Sequence, residues 1–261
     1  MIDNKQPINT ILNERTNERT NERYTLIHGD CLEEMRKMDN GICDVVFTSP
    51  PYNDSGKTEN DRKTKRHFKY EVSENRKDWF EWQCECIDEM LRLAKRQVLY
   101  NIQPILNNKN DVYKLIGHYS DIIDQIIIWY KPNPIPQGFP HRIANAYEMV
   151  LVLKCSEFDT LYINSNNYKN VIVKPVNADH TYTSKHRAVM NSQFCDEIIR
   201  EFTQDGDTVM DCFMGLGTTG MSCIKFNRSF IGIEIYKPYF DIAENRINQE
   251  KAQMSIFDFL S

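Results

Sequence analysis

The chain has 261 residues, 41% hydrophobic and 26% charged, which is enough apolar material for one sizeable core in an ordinary globular protein. Its formal charge of −5, from 32 Lys and Arg against 37 Asp and Glu, excludes the all-over positive field of a strongly cationic nucleic-acid binder, so any contact with a polyanion must be local. No apolar run reaches the roughly 20 residues needed to cross a bilayer, and the polar N-terminus lacks the apolar stretch of a secretion signal, which predicts a cytoplasmic protein with no membrane partner.

Residues 1–23 form a polar extension carrying a short tandem repeat, NERT-NERT-NERY, with too few apolar residues to hold a packed face. A frayed helix or linker is expected there. From Tyr24 onward, short β-rich runs at 24–27, 44–48, 97–101, 122–129, 148–153, 208–211 and 229–234 alternate with helical patterns at 78–93, 105–119, 192–202, 218–226 and 238–250. This alternation over 24–250 predicts one α/β domain built on a largely parallel sheet covered on both faces. The eight cysteines are scattered without a C-x-x-C pair, so reduced core thiols and no metal site are expected.

Two stretches interrupt the rhythm. Residues 54–77 are polar and rich in Lys and Arg, including Lys57, Arg62, Lys63, Lys65, Arg66 and Lys69, with His67, Phe68 and Tyr70 interleaved. A loop of this length in a compact domain is usually functional or disordered. Residues 154–185 are rich in Asn, Ser, Thr and Tyr and suggest a small irregular region.

Thr48-Ser49-Pro50-Pro51-Tyr52-Asn53 follows the apolar run Val45-Val46-Phe47, and therefore stands at the carboxyl end of a strand, where open α/β sheets bind ligands. Consecutive prolines hold the preceding backbone extended, so carbonyls there lack local partners and can accept from a ligand amine. An aromatic exocyclic amine is nucleophilic only when its hydrogens are held out of the ring plane. The Ser49 hydroxyl and the Pro50 carbonyl are candidates to hold them, and Tyr52 to stack on the base with about 1–3 kcal/mol.

Asp211-Cys212-Phe213-Met214-Gly215-Leu216-Gly217-Thr218-Thr219-Gly220 follows a second strand and opens a helix, and the next strand ends in Gly232-Ile233-Glu234. Glycines permit a tight turn beside a ligand, the helix N-terminus leaves N–H groups available, and an acid about twenty residues on suits ribose hydroxyls. A nicotinamide dinucleotide would fit the same glycine spacing. The leading acid and aromatic favour a cofactor with a cationic centre and no pyrophosphate, S-adenosylmethionine.

TSPPYN followed far downstream by DCFMGLGTTG and GIEI resembles the β-class amino-group DNA methyltransferases, which methylate cytosine-N4 or adenine-N6 with the catalytic motif ahead of the cofactor motif. The resemblance implies a Rossmann-like S-adenosylmethionine-dependent methyltransferase sheet in permuted motif order, in a bacterial or phage-type enzyme. It assigns Ser49, Pro50, Pro51 and Tyr52 to catalysis. Asp211, Phe213, Gly215, Gly217, Thr218 and Thr219 would line the cofactor's methionine part, Glu234 its ribose and Asp30, within His28-Gly29-Asp30-Cys31-Leu32, its adenine. The stretch His186-Arg187-Ala188-Val189-Met190-Asn191 is similar to a family segment that ends in Phe-Pro, which is Met-Asn here, and gives His186 as a further cofactor contact.

Double-stranded DNA is the implied substrate, with the target base flipped into the pocket. Asn53, Lys57, Arg62, Lys63, Lys65, Arg66 and Lys69 are then the expected nucleic-acid contacts, the Lys and Arg to phosphate, and 154–185 the candidate recognition region. Ser at position 49 leans toward cytosine-N4, with adenine-N6 the alternative. The family also suggests a homodimer. Protein-glutamine methyltransferases share a related loop but carry it after the cofactor motif, and a non-catalytic nucleic-acid binder would not need both motifs. Beyond the last predicted helix, residues 251–261 contain Gln253-Met254-Ser255-Ile256-Phe257, which resembles peptides that dock on bacterial sliding clamps.

Overall fold

A computed structural model describes residues 23–53, 76–134, 143–155, 161–176 and 189–260, with side chains up to 253. The NERT repeat, His186 and the basic residues Lys57, Arg62, Lys63, Lys65, Arg66 and Lys69 lie outside the described residues. The chain runs β1 (Tyr24–His28), α1 (Cys31–Met35), β2 (Cys43–Thr48), α2 (Trp79–Leu93), β3 (Ala94–Ile102), α3 (Lys109–His118), β4 (Ile123–Tyr130) and β5 (Tyr147–Lys154). It continues through β6 (Val171–Val173), α4 (Ser192–Phe202), β7 (Thr208–Asp211), α5 (Thr218–Lys225), β8 (Ser229–Glu234) and α6 (Lys237–Leu260).

Among the described residues all eight strands join one sheet, in the order β1-β8-β7-β2-β3-β5-β4-β6. The neighbours from β1 to β3 are parallel, whereas β5 is antiparallel to both β3 and β4. The sheet is thus largely parallel, with β5 its one antiparallel strand among the described residues. Within the stretch read as irregular, Val171–Val173 adds a short edge strand parallel to β4. Three residues of sequence carry too little periodicity to announce a strand. The last helix runs ten residues past the predicted end at 250, so the Gln253 segment is helical in backbone and not a separate tail.

Period-two alternation sorts the sheet's side chains into two cores. Val46, Val98, Tyr100, Leu151 and Met210 face α1, α2 and α3, and Val45, Phe47, Leu99, Val152 and Val209 face α4, α5 and α6. In α2 the buried residues Trp79, Trp82, Gln83, Cys86, Ile87, Met90 and Leu93 recur at spacings of three and four, which lays one stripe of the helix on the sheet. Phe194 of α4, stacked on Trp129 of β4 at 4.3 Å, closes the other side. Asn191 caps α4 by accepting from the Phe194 N–H at 2.9 Å. Among the described residues no helix is long and apolar enough to cross a membrane.

The connections from β7 and β2 diverge. After β7 the chain crosses through α5 to β8 on one side, and after β2 it crosses through α2 to β3 on the other. The crevice at their carboxyl ends is the topological switch point of the sheet, the place where such folds take ligands. Close packing of α5 holds its opening turn there. At Gly220 a Cβ would stand 2.7 Å from Ile247 Cδ1 and 2.8 Å from Phe230 Cε1. Gly220→Ala is therefore expected to destabilise the protein by about 1–3 kcal/mol through overpacking, although alanine is the better helix former by about 1 kcal/mol. Urea unfolding checks the sign.

Candidate active site

The two signatures meet. Thr48 Oγ1, at the end of β2, donates to Asp211 Oδ1, at the end of β7, at 2.6 Å. Asp211 is 3% exposed, and its carboxylate also accepts from Thr219 Oγ1 at 2.7 Å and the Phe213 N–H at 3.1 Å. Burial pushes its carboxyl up from the ordinary range, and the three donors pull it back. Asp211 and Thr219 are thus occupied in shaping the turn, and Thr218 is buried with them.

Gly215 and Gly217 have φ of 55° and 77°, left-handed values that favour glycine, and Gly217 is the N-cap of α5. The Gly215 N–H donates to Glu234 Oε2 at 2.9 Å, and the Tyr236 N–H to Glu234 Oε1 at 2.7 Å, so the acid at the end of β8 is folded against the glycine turn. Burial pushes the Glu234 carboxyl up to about 7 against the pull of these N–H groups. Next along the sheet, β1 ends at His28, and the Gly29 N–H bonds to the Glu234 carbonyl at 3.1 Å. Asp30 then caps α1, its Oδ1 accepting from the N–H groups of Leu32 and Glu33 at 2.9 and 3.1 Å. Asp30, Glu234, Asp211 and Ser49 thus stand at or just past the carboxyl ends of four neighbouring strands.

In the loop after β2, the Trp79 indole donates to the Pro51 carbonyl at 3.0 Å, and among the described residues no donor reaches the Pro50 carbonyl. Ser49 Oγ lies 2.9 Å from the Tyr52 hydroxyl. Asn53, expected among the DNA contacts, is buried at φ 56° and pairs its whole amide with the backbone of Arg76: Nδ2 donates to the carbonyl at 3.1 Å and Oδ1 accepts from the N–H at 2.9 Å. This clasp ties together the two ends of the stretch that contains the basic residues. The Arg76 guanidinium lies 4.6 Å from the centre of the Trp82 ring, and Trp82 meets Phe213 edge-on at 5.8 Å.

Three site residues escaped the sequence reading. Asn101, at the end of β3, donates through Nδ2 to Glu148 Oε2 at 2.7 Å and lies within 3.3 Å of Ser49 Oγ. Tyr52 donates its hydroxyl to the same Glu148 oxygen at 2.7 Å, and Lys131 pairs with Glu148 Oε1 at 2.8 Å. A Lys and a Glu at the margins of the apolar runs IIIWYK and YEMVLVLK were a faint signal, since charges there must be solvated or paired.

A family model described as DNA methylase, for N6 and N4 methyltransferases, matches residues 43–245, from β2 into α6. The chain belongs to the N6/N4 DNA methylase family. The curated relatives of this methylase include the type II methyltransferase M.HinfI of Haemophilus influenzae, 27% identical over 98% of this chain and 74% of the relative. The type II methyltransferase M2.DpnII of Streptococcus pneumoniae is 26% identical over 86% of this chain and 90% of the relative. Among solved structures, the cytosine-N4-specific PvuII DNA methyltransferase aligns with a TM-score of 0.66 at 16% identity, covering 91% of this chain and 96% of that one. M1.HpyAVI, solved as a complex with S-adenosylmethionine, aligns with a TM-score of 0.59 at 22% identity over 85% and 99%. These likenesses confirm the α/β methyltransferase fold. The family model begins at β2, so Asp30 and β1 lie outside it.

Thr48→Val in this methylase removes one of the donors to a buried carboxylate and should cost about 1–3 kcal/mol in urea unfolding. Glu234 gives a pH signature. Its folded pKa of about 7 lies above its ordinary 4.5, so the folded chain holds this proton more tightly than the unfolded one. The contribution is full at low pH and is lost as pH rises through about 7. Glu234→Gln should therefore gain stability relative to wild type between about pH 5 and pH 8, by at most ~3 kcal/mol, in parallel thermal unfolding series.

Proposed function

We propose that this protein transfers a methyl group from S-adenosylmethionine to the exocyclic amine of a base flipped out of duplex DNA, cytosine-N4 in preference to adenine-N6. The observation that carries the reading is the Thr48–Asp211 bond of 2.6 Å, which holds the amine-binding loop beside the glycine turn at the switch point of the sheet. S-adenosylmethionine, when bound, supplies an electrophilic methyl on a sulfonium. The fit of that cofactor rests on the left-handed glycine turn against Glu234, and on an Asp30 cap in which both N–H groups converge on Oδ1 and leave Oδ2 to face a donor.

In this reading Glu234 accepts from ribose hydroxyls and Asp30 from the adenine amine, while Phe213, braced by Trp82, walls the methionine side. Ser49 Oγ and the Pro50 carbonyl accept the two amine hydrogens of the target base and turn its nitrogen lone pair out of the ring plane, and the Tyr52 ring stacks on the base. Positioning of this kind lowers the barrier of a direct displacement without a covalent enzyme intermediate. The basic residues between Asn53 and Arg76 contact phosphates, and the bonds that join those two flanking residues support a role for the stretch in holding the flipped strand. The preference for cytosine rests on Ser49 and on the likeness to the cytosine-N4-specific PvuII enzyme.

Incubation of unmethylated DNA with the protein and S-adenosylmethionine, followed by mass spectrometry of the digested nucleosides, should yield N4-methylcytosine. N6-methyladenine would reassign the base, and no methylated nucleoside would overturn the proposal. Tyr52→Ala should slow the reaction by the loss of about 1–3 kcal/mol of base stacking.

A further inference from the structure

The cluster beside the catalytic loop contains more hydrogen-bonding order than base stacking requires. Lys131 and Glu148 form an ion pair of 2.8 Å, with side chains only 9% and 12% exposed. Glu148 sits on β5 opposite Trp129 of β4, and Lys131 follows the next pair, Tyr130 with Tyr147. Antiparallel register therefore delivers both charges to the same end of the sheet as Ser49.

The direction of each hydrogen can be derived. Paired with an ammonium, Glu148 is a carboxylate and can only accept. Asn101 must turn its Nδ2 toward Glu148 Oε2, 2.7 Å away, because its Oδ1 would meet a second acceptor there. Tyr52 has one hydroxyl hydrogen, which burial keeps in place by pushing its pKa well up, and at 2.7 Å that hydrogen goes to Glu148. The contact of 2.9 Å between Ser49 Oγ and the Tyr52 hydroxyl then has only one possible donor, Ser49. Asn101 Nδ2 also faces Ser49 Oγ at 3.3 Å and the Tyr52 oxygen at 3.1 Å, which reinforces both as acceptors toward that side.

We propose that Glu148, held by Lys131 and Asn101, is a positioning residue that sets the chain Ser49 to Tyr52 to Glu148 in one direction and so makes the Ser49 hydroxyl an obligatory acceptor toward the substrate. This rests on the proposed methyl transfer to a base amine. Its consequence is chemical selection: an acceptor-only Ser49 pairs with the amine hydrogens of cytosine or adenine and opposes the carbonyl oxygen that thymine or guanine presents at the same place. Glutamine at 148 can donate as well as accept, which releases the Tyr52 hydrogen toward Ser49 and the Ser49 hydrogen toward the pocket.

A double-mutant cycle tests the direction. Wild type, Glu148→Gln, Tyr52→Phe and the double variant are compared in single-turnover methyl transfer from labelled S-adenosylmethionine to unmethylated plasmid DNA. Cofactor affinity is followed by calorimetry. Glu148→Gln should slow transfer at least about tenfold with cofactor affinity unchanged, and should add less than about twofold once Tyr52→Phe has removed the link. Lys131→Met combined with Glu148→Gln leaves no lone buried charge, and should show the same loss if Glu148→Gln alone folds poorly. Equal slowing by Glu148→Gln in both backgrounds, or none in an active wild type, overturns this inference alone. A wild type that transfers no methyl group to DNA overturns the proposed function and this inference with it.

Discussion

The hydrogen bond between Thr48 and Asp211 joins residues 163 positions apart and holds the ends of β2 and β7 together at the switch point. A carboxylate buried to 3% exposure is costly unless donors surround it, and Asp211 draws them from three places: a strand end, its own turn and the first turn of α5. Each donor is thereby fixed in place as well. The Phe213 N–H, close also to Thr48 Oγ1 at 3.3 Å, fixes the start of the glycine turn against the end of β2. One buried charge thus specifies the relative placement of the two halves of the site.

The same economy recurs at Glu234 and at Glu148. Glu234 is bonded to two backbone N–H groups, so the acid on β8 and the turn after β7 form one rigid unit. Glu148 is instead bonded to side chains on three other segments, Tyr52, Asn101 and Lys131. Buried ion pairs of that kind contribute little net stability compared with apolar packing, because desolvation offsets the Coulomb attraction. Their value is directional, since a carboxylate that can only accept fixes which way its partners' hydrogens point.

The loop after β2 is tied down independently. The Trp79 indole on the Pro51 carbonyl and the Asn53 amide on the Arg76 backbone attach it to the entry of α2, and Trp82, one helical turn on, carries the contact to Phe213. The clasp joins the two residues that flank the basic stretch in the sequence.

The sequence by itself determined the elements and the two motifs, because both are local. Alternating Val45, Val46 and Phe47 must present two faces, Pro50 and Pro51 must end the strand, and Gly215 and Gly217 must allow a left-handed turn before a helix. Those signals placed Ser49, Asp211 and Glu234 at strand ends. Tertiary structure alone decided the antiparallel return of β5, the edge strand β6 and the cluster of Asn101, Lys131 and Glu148. These depend on register between distant strands, where a slip of one residue turns every side chain to the opposite face, and no local pattern in the sequence fixes that register.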